Sequence, residues 1–174
     1  MINERALLTA LKNDWKGVGY TVGRTGDSLL LDGDYWALCC TMEVLPRKVL
    51  ALLVEHLGEI PEAGDCWQVS KSAGNQTALL QVRRKEFMDK LDARAEAAAQ
   101  TKLTFGGWRV WQETQSLKVL LMDEELTSIV VLPQGGEAES WGGGLIKDAG
   151  PDVLVVHSKV IPPEAEYLQA VQWK

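Results

Sequence analysis

Val18-Gly19-Tyr20-Thr21-Val22-Gly23-Arg24, Ser28-Leu29-Leu30-Leu31-Asp32 and Tyr35-Trp36-Ala37-Leu38-Cys39-Cys40-Thr41-Met42 are three runs of aliphatic, aromatic and β-branched residues. Gly26-Asp27 and Asp32-Gly33-Asp34 separate them with residues that tolerate positive φ. The simplest reading is an antiparallel meander over 18–24, 28–32 and 35–42. Helices bracket it. Residues 3–14 place Ala6, Leu7, Ala10 and Leu11 at the spacing of a buried stripe, with Asn3 as N-cap. Pro46 opens and Gly58 closes a second helix whose apolar residues Val49, Leu50, Leu52, Leu53, Val54 and Leu57 occupy more than one face, so it should sit deep.

Further along, 66–71 and 76–82 read as a hairpin around Ser72-Ala73-Gly74-Asn75. Residues 83–100 read as a long Ala-rich helix with Lys85–Asp89 and Glu86–Lys90 pairs four apart. Strands are expected at 108–114, 117–122, 126–132 and 152–158, with a short helix after Pro162-Pro163. The segment 133–150 holds six glycines in eighteen positions and reads as a mobile loop. The fold class is therefore α+β, mainly antiparallel, with about four helices. Gly19-Tyr20-Thr21-Val22 with Ser28-Leu29 aligns, at an offset of 88, with Gly107-Trp108-Arg109-Val110 and Ser116-Leu117. The echo raises two similar α-βββ halves, 1–82 and 83–174, against a single domain in which β-meander residues simply recur.

The chain has 174 residues with 18 basic and 24 acidic side chains, net −6 and a pI near 5.0. That balance disfavours a surface that grips polyanions everywhere. No apolar run approaches the ~20 residues of a membrane span, and Met1 to Trp15 lacks a signal-peptide core. Three cysteines, Cys39, Cys40 and Cys66, fit a reducing compartment, so a cytoplasmic location is expected. Cys39 and Cys40, adjacent on a strand, should face opposite ways and cannot share a metal.

Chemical motifs are weak. Ser140, Asp152 and His157 occur in the order of an α/β-hydrolase triad, but glycines on both sides of Ser140 do not make a strained nucleophile elbow. His56 sits where a last-turn imidazole can bond free helix carbonyls, and no cysteine lies at a helix N-terminus to partner it. Zinc-ligand spacings are absent, Asp123-Glu124-Glu125 reads as a solvated hairpin turn, and neither glycine-rich string matches a phosphate cradle. No catalytic residue, cofactor or metal is expected.

Binding surfaces offer more. Trp141 lies among glycines and Trp173 is penultimate, so neither is held by its own local chain. With Glu137 and Glu139 they are the candidate partner-binding residues, because Trp is enriched at binding hot spots. The middle of the chain, 61–110, carries 8 basic and 6 acidic groups, whereas 111–174 carries 4 and 10. Arg83, Arg84, Lys85, Lys90 and Arg109, near Phe105, Trp108 and Trp111, are candidate nucleic-acid contacts. Against that, acidic residues intersperse the same helix, and Trp108 and Trp111 have an odd separation that puts them on opposite strand faces.

The stretch Asp34-Tyr35-Trp36, through Leu45-Pro46-Arg47-Lys48-Val49-Leu50-Ala51-Leu52-Leu53-Val54-Glu55-His56-Leu57-Gly58, to Asn75-Gln76-Thr77 resembles small uncharacterised proteins of bacterial conjugative elements and prophages. The resemblance covers about a quarter of the chain and implies an accessory role in a mobile element. It implies no site residues. The expectation is a non-catalytic cytosolic binding or regulatory module that acts through protein–protein contacts. The alternatives are a nucleic-acid-associated accessory protein of a mobile element and a small hydrolase.

Overall fold

Strand alternation decides what each sheet face buries, and here the central strands are apolar on both faces. The structure is a computed structural model that describes residues 1–170 and 172–173. In chain order the elements are α1 (Glu4–Lys16), β1 (Tyr20–Thr25), β2 (Ser28–Asp32), β3 (Trp36–Thr41), α2 (Arg47–Leu57), β4 (Cys66–Ser70), β5 (Gly74–Thr77) and α3 (Leu80–Asp92). Then follow β6 (Ala97–Phe105), β7 (Trp108–Glu113), β8 (Val119–Met122), α4 (Glu124–Thr127), β9 (Ala138–Ser140), β10 (Gly144–Asp148) and β11 (Asp152–His157). Short 3₁₀ segments occupy Met42–Val44 and Pro163–Ala170. The strands form one 11-stranded antiparallel sheet in the order β5-β4-β1-β2-β3-β11-β10-β9-β6-β7-β8. The fold is thus α+β, with the expected meander at β1–β2–β3.

One face packs Leu29, Leu31, Trp36, Leu38, Leu154 and Val156 beneath α1 and α2. Helix α1 also packs against α4. Asn3 caps α1 by accepting the Ala6 amide at 3.3 Å, and Leu7 and Leu11 are completely buried. Each such leucine contributes ~1.5–3 kcal/mol of burial. The opposite face carries Leu30, Ala37, Ile146 and Val155 beneath Phe87 and Leu91 of α3. The C-terminal 3₁₀ segment covers the same face farther along, with Ala165 and Leu168 over Val110, Val119 and Leu121. Cys39 and Cys40 do face opposite ways, as do Trp108 and Trp111.

Four expectations change. The Ala-rich helix ends at Asp92, and Ala97 to Gln100 open the nine-residue β6. Pairing with β7 and β9 outweighs alanine's helix propensity there. The strand expected at 126–132 is instead α4, capped by Asp123 through the Glu125 and Leu126 amides, followed by a single bridge between Ile2 and Val130. The second hairpin strand ends at Thr77, and Leu80 to Val82 form the first turn of α3.

The glycine-rich segment 133–150 is not a mobile loop. It contains β9 and β10, inside the sheet. Gly144 lies so close to β11 that an added Cβ would meet the Val156 carbonyl oxygen and stand 2.9 Å from His157 Cα. Gly143 lies under the Trp141 ring. These glycines permit close approach.

A shared connectivity runs through the sheet. The block β5-β4-β1-β2-β3, preceded by α1 and with α2 between β3 and β4, has the same order as β10-β9-β6-β7-β8. The second block is preceded by α3 and has α4 between β8 and β9. In this correspondence β1 matches β6. The offset of 88 instead aligns β1 with β7, so the sequence echo joins strands at different places in the two blocks. Residues 82 and 83 both lie within α3, and β11 joins the blocks by pairing with β3 and β10.

Candidate functional site

Helix α3 lies on the sheet by one narrow stripe. Phe87 is buried, Leu91 is half-buried, and Leu80 reaches over Gly23 of β1, where any side chain would collide with its Cδ1. Because the stripe is narrow, α3 leaves Val82 47% and Met88 43% exposed, and Leu79 just before it 72%. Between α3 and the β1–β2 hairpin run two concavities of about 550 Å³ and 230 Å³, which share Thr25 and Arg84. The larger is lined by Arg24, Leu79, Leu80 and Val82, the smaller by Leu30, Cys39, Phe87, Met88 and Leu91. Together they make one apolar groove with arginines at its rim.

Arg24 is fixed by donating Nε to Gly26 O at 2.9 Å and a guanidinium nitrogen to Pro61 O at 3.3 Å. Its charge has no carboxylate partner among the described residues, and neither has that of exposed Arg84. Cys39 is a partly exposed thiol in the groove wall. Burial pushes its pKa up, and the Arg84 charge opposes that. The buried thiols are shifted further, Cys40 to about 12 and Cys66 to about 11, chiefly by burial.

The expected partner-binding residues lie elsewhere. Trp141 is half-buried, edge-on to His157 at 5.2 Å between ring centroids, with Lys90 Nζ 5.8 Å over its face. Trp173 donates its amide to Gln112 Oε1 and its indole N–H to Leu168 O, and packs beside Val110 and Leu121. Both rings are therefore engaged by distant parts of the chain. Glu139 is paired with Arg94 at 3.1 Å, and Glu137 stands exposed before β9.

The basic candidates are dispersed and largely neutralised. Arg83 faces Asp32 at 3.5 Å and Glu86 at 3.4 Å, Lys85 faces Asp89 at 2.6 Å, and Lys90 covers Trp141. Arg109, on β7, reaches both Glu124 oxygens at 2.9 Å. Only Arg84 of the five borders the groove.

The hydrolase set is not assembled. Ser140 Oγ is fully buried without a hydrogen-bond partner among the described residues, and Asp152 faces the Met1 ammonium at 3.3 Å. His56 also differs from expectation. Its Nδ1 meets the Tyr20 hydroxyl at 2.8 Å and its ring stacks on Trp15 at 4.3 Å, while the Val54 carbonyl accepts from the Gly58 amide and the Leu57 carbonyl from Asn75 Nδ2. Burial lowers its pKa. Among the described residues no group of three or more His, Cys, Asp or Glu is placed to hold a metal ion, and no helix is long and apolar enough to cross a membrane.

No family model, curated protein or solved structure matches the chain. The groove residues Leu79 and Val82 escaped the sequence reading because 76–82 reads as a strand, which hides the helical phase that turns Val82 outward. Met88 was the available signal, an apolar residue on the expected helix 83–100 that lies off its Phe87–Leu91 stripe.

Proposed function

We propose that the chain is a binding module that takes an apolar, acid-flanked segment of another protein into the groove beside α3. One observation carries the reading: Leu79, Val82 and Met88 are exposed together along a concave apolar groove whose rim arginines, Arg24 and Arg84, lack carboxylate partners among the described residues. Contiguous exposed apolar surface of this kind marks interaction sites. Methionine adapts to irregular apolar partners. Apolar anchors would enter the two concavities, and Asp or Glu beside them would meet the guanidinium groups in forked pairs. A nucleic-acid reading has less support, because Arg83, Lys85 and Arg109 already have carboxylate partners.

Panning a random peptide library on the protein tests this. Selected peptides should share two or three apolar residues flanked by Asp or Glu, and their binding should be lost in the doubly substituted Leu79→Asp, Val82→Asp protein. Selection of basic peptides, or binding indifferent to that substitution, refutes the reading.

A further inference from the structure

Across the sheet from α3, helices α1 and α2 enclose a second groove of about 480 Å³. Leu8, Trp15, Ala51 and Leu52 make its apolar lining, and Lys12, Lys16 and Lys48 stand around it. We infer that this groove is a docking site for an acidic amphipathic helix of a partner protein.

Charge complementarity selects that occupant. The whole chain is −6, yet α1 and α2 carry Arg5, Lys12, Lys16, Arg47 and Lys48 against Glu4, Asp14 and Glu55. Lys48 is held by Glu4 at 3.2 Å, whereas Lys12 and Lys16 have no ion-pair partner among the described residues. Lys12 and Lys16 are four apart, hence on one side of α1, one above the other. From Leu8 to Lys16 the groove wall rises about 12 Å, a little over two helical turns. A helix laid there places acidic side chains one turn apart against the two free ammonium groups and its apolar stripe on Leu8, Ala51 and Leu52, the helix-in-groove mode. Glu55 is the one acidic residue of the lining and disfavours a second anion beside it, which fixes the direction in which the acidic edge lies.

The far wall is rigid. His56 is clamped between the Trp15 ring at 4.3 Å and the Tyr20 hydroxyl at 2.8 Å, and Tyr20 is 1% exposed. A fixed wall lowers the ordering cost of binding. The α3 groove lies on the other face of the sheet and shares no lining residue with this one.

The test is fluorescence polarisation with two labelled, lactam-stapled helices of about four turns. Both carry the same leucine stripe, one with Glu and the other with Lys on the flanks. The Glu helix should bind the wild type, more weakly as salt rises. Lys12→Glu with Lys16→Glu should weaken it by ~tenfold or more and should bring the Lys helix into binding. That reversal of preference cannot come from misfolding. Val82→Asp with Met88→Asp should leave both results unchanged, and failure of library selection at α3 would not alter them. The inference is overturned if neither helix binds, if both bind alike, or if the α3 substitutions abolish binding. It is equally overturned if the two lysines instead govern self-association in sedimentation or binding to anionic phospholipid vesicles.

Discussion

Replacing Gly144 by alanine should destabilise the protein severely, although Gly144 lies in a segment whose composition resembles a loop. The Cβ would stand 2.9 Å from both His157 Cα and the Val156 carbonyl carbon, with the Val156 oxygen nearer still, all of them backbone atoms of β11. Real Cβ contacts almost never fall below 3.0 Å, and backbone cannot rotate aside as a long side chain does. Strand β11 must therefore move off by roughly 1 Å, more than a hydrogen bond of ordinary length tolerates. The neighbouring Ser158 amide to Gly143 oxygen bond, at 2.8 Å, is the first to suffer. Overpacking strain of ~1–3 kcal/mol and one or two lost hydrogen bonds at ~1 kcal/mol each give a cost of about 2–5 kcal/mol. In a mobile loop the same change would stabilise by ~0.4–1 kcal/mol, through a less disordered unfolded chain. The two accounts differ in sign. Urea unfolding followed by tryptophan fluorescence and far-UV circular dichroism measures the difference. Gly142→Ala is the internal control, since φ is 90° there but the space is open, and about 1 kcal/mol is expected. A Gly144→Ala midpoint at or above wild type refutes the placement of β10 inside the sheet.

Other perturbations separate the groove from its surroundings. Cys39 should be the first thiol to react with a small alkylating reagent, because Cys40 and Cys66 are buried; its rate should rise well above neutral pH, since its pKa is raised, and a bound peptide should protect it. Trp141→Ala should cost about 2 kcal/mol of stability, less than a fully buried tryptophan because the ring is only half-buried, and should leave peptide binding unchanged. His56 and His157 both have lowered pKa values, burial being the first cause. Their stabilising contribution is full above the unfolded value near 6.5 and is lost as pH falls through the folded values, so stability should decline below pH ~6.5. His157→Gln should flatten that decline. Asp14 and Asp32, raised mainly by burial, act oppositely at lower pH, where protonation relieves their cost.

The first half of the chain was legible because its signals are local. Asn3 caps α1, Pro46 and Gly58 bound α2, and Gly26 turns β1 into β2, each within a few residues of the element it governs. The second half depends on distant partners. Ala97 to Gln100 carry helix propensity, and only the presence of β7 and β9 makes them a strand. Gly144 reads as flexible until Val156, twelve positions later, is known to press against it. Trp141 and Trp173 read as unheld by their local chain, and the groups that hold them, Lys90 with His157 and Gln112 with Leu168, are far off or unpatterned in sequence. The α3 groove was hidden for a related reason. A shift in where the helix begins rotates Val82 from strand face to solvent, and Arg24 joins the rim only because the β1–β2 hairpin folds beneath α3.

The four methionines report on separate places: Met1 at the N-terminus, Met42 after β3, Met122 buried in β8 and Met88 at the α3 groove. Titrating methyl-labelled protein with an acid-flanked apolar peptide from the library, and following the four methyl resonances by NMR, tests the binding proposal most directly. The Met88 methyl should shift progressively while Met122 and Met1 stay in place. A stationary Met88 resonance at saturating peptide, or shifts confined to Met42, would contradict it.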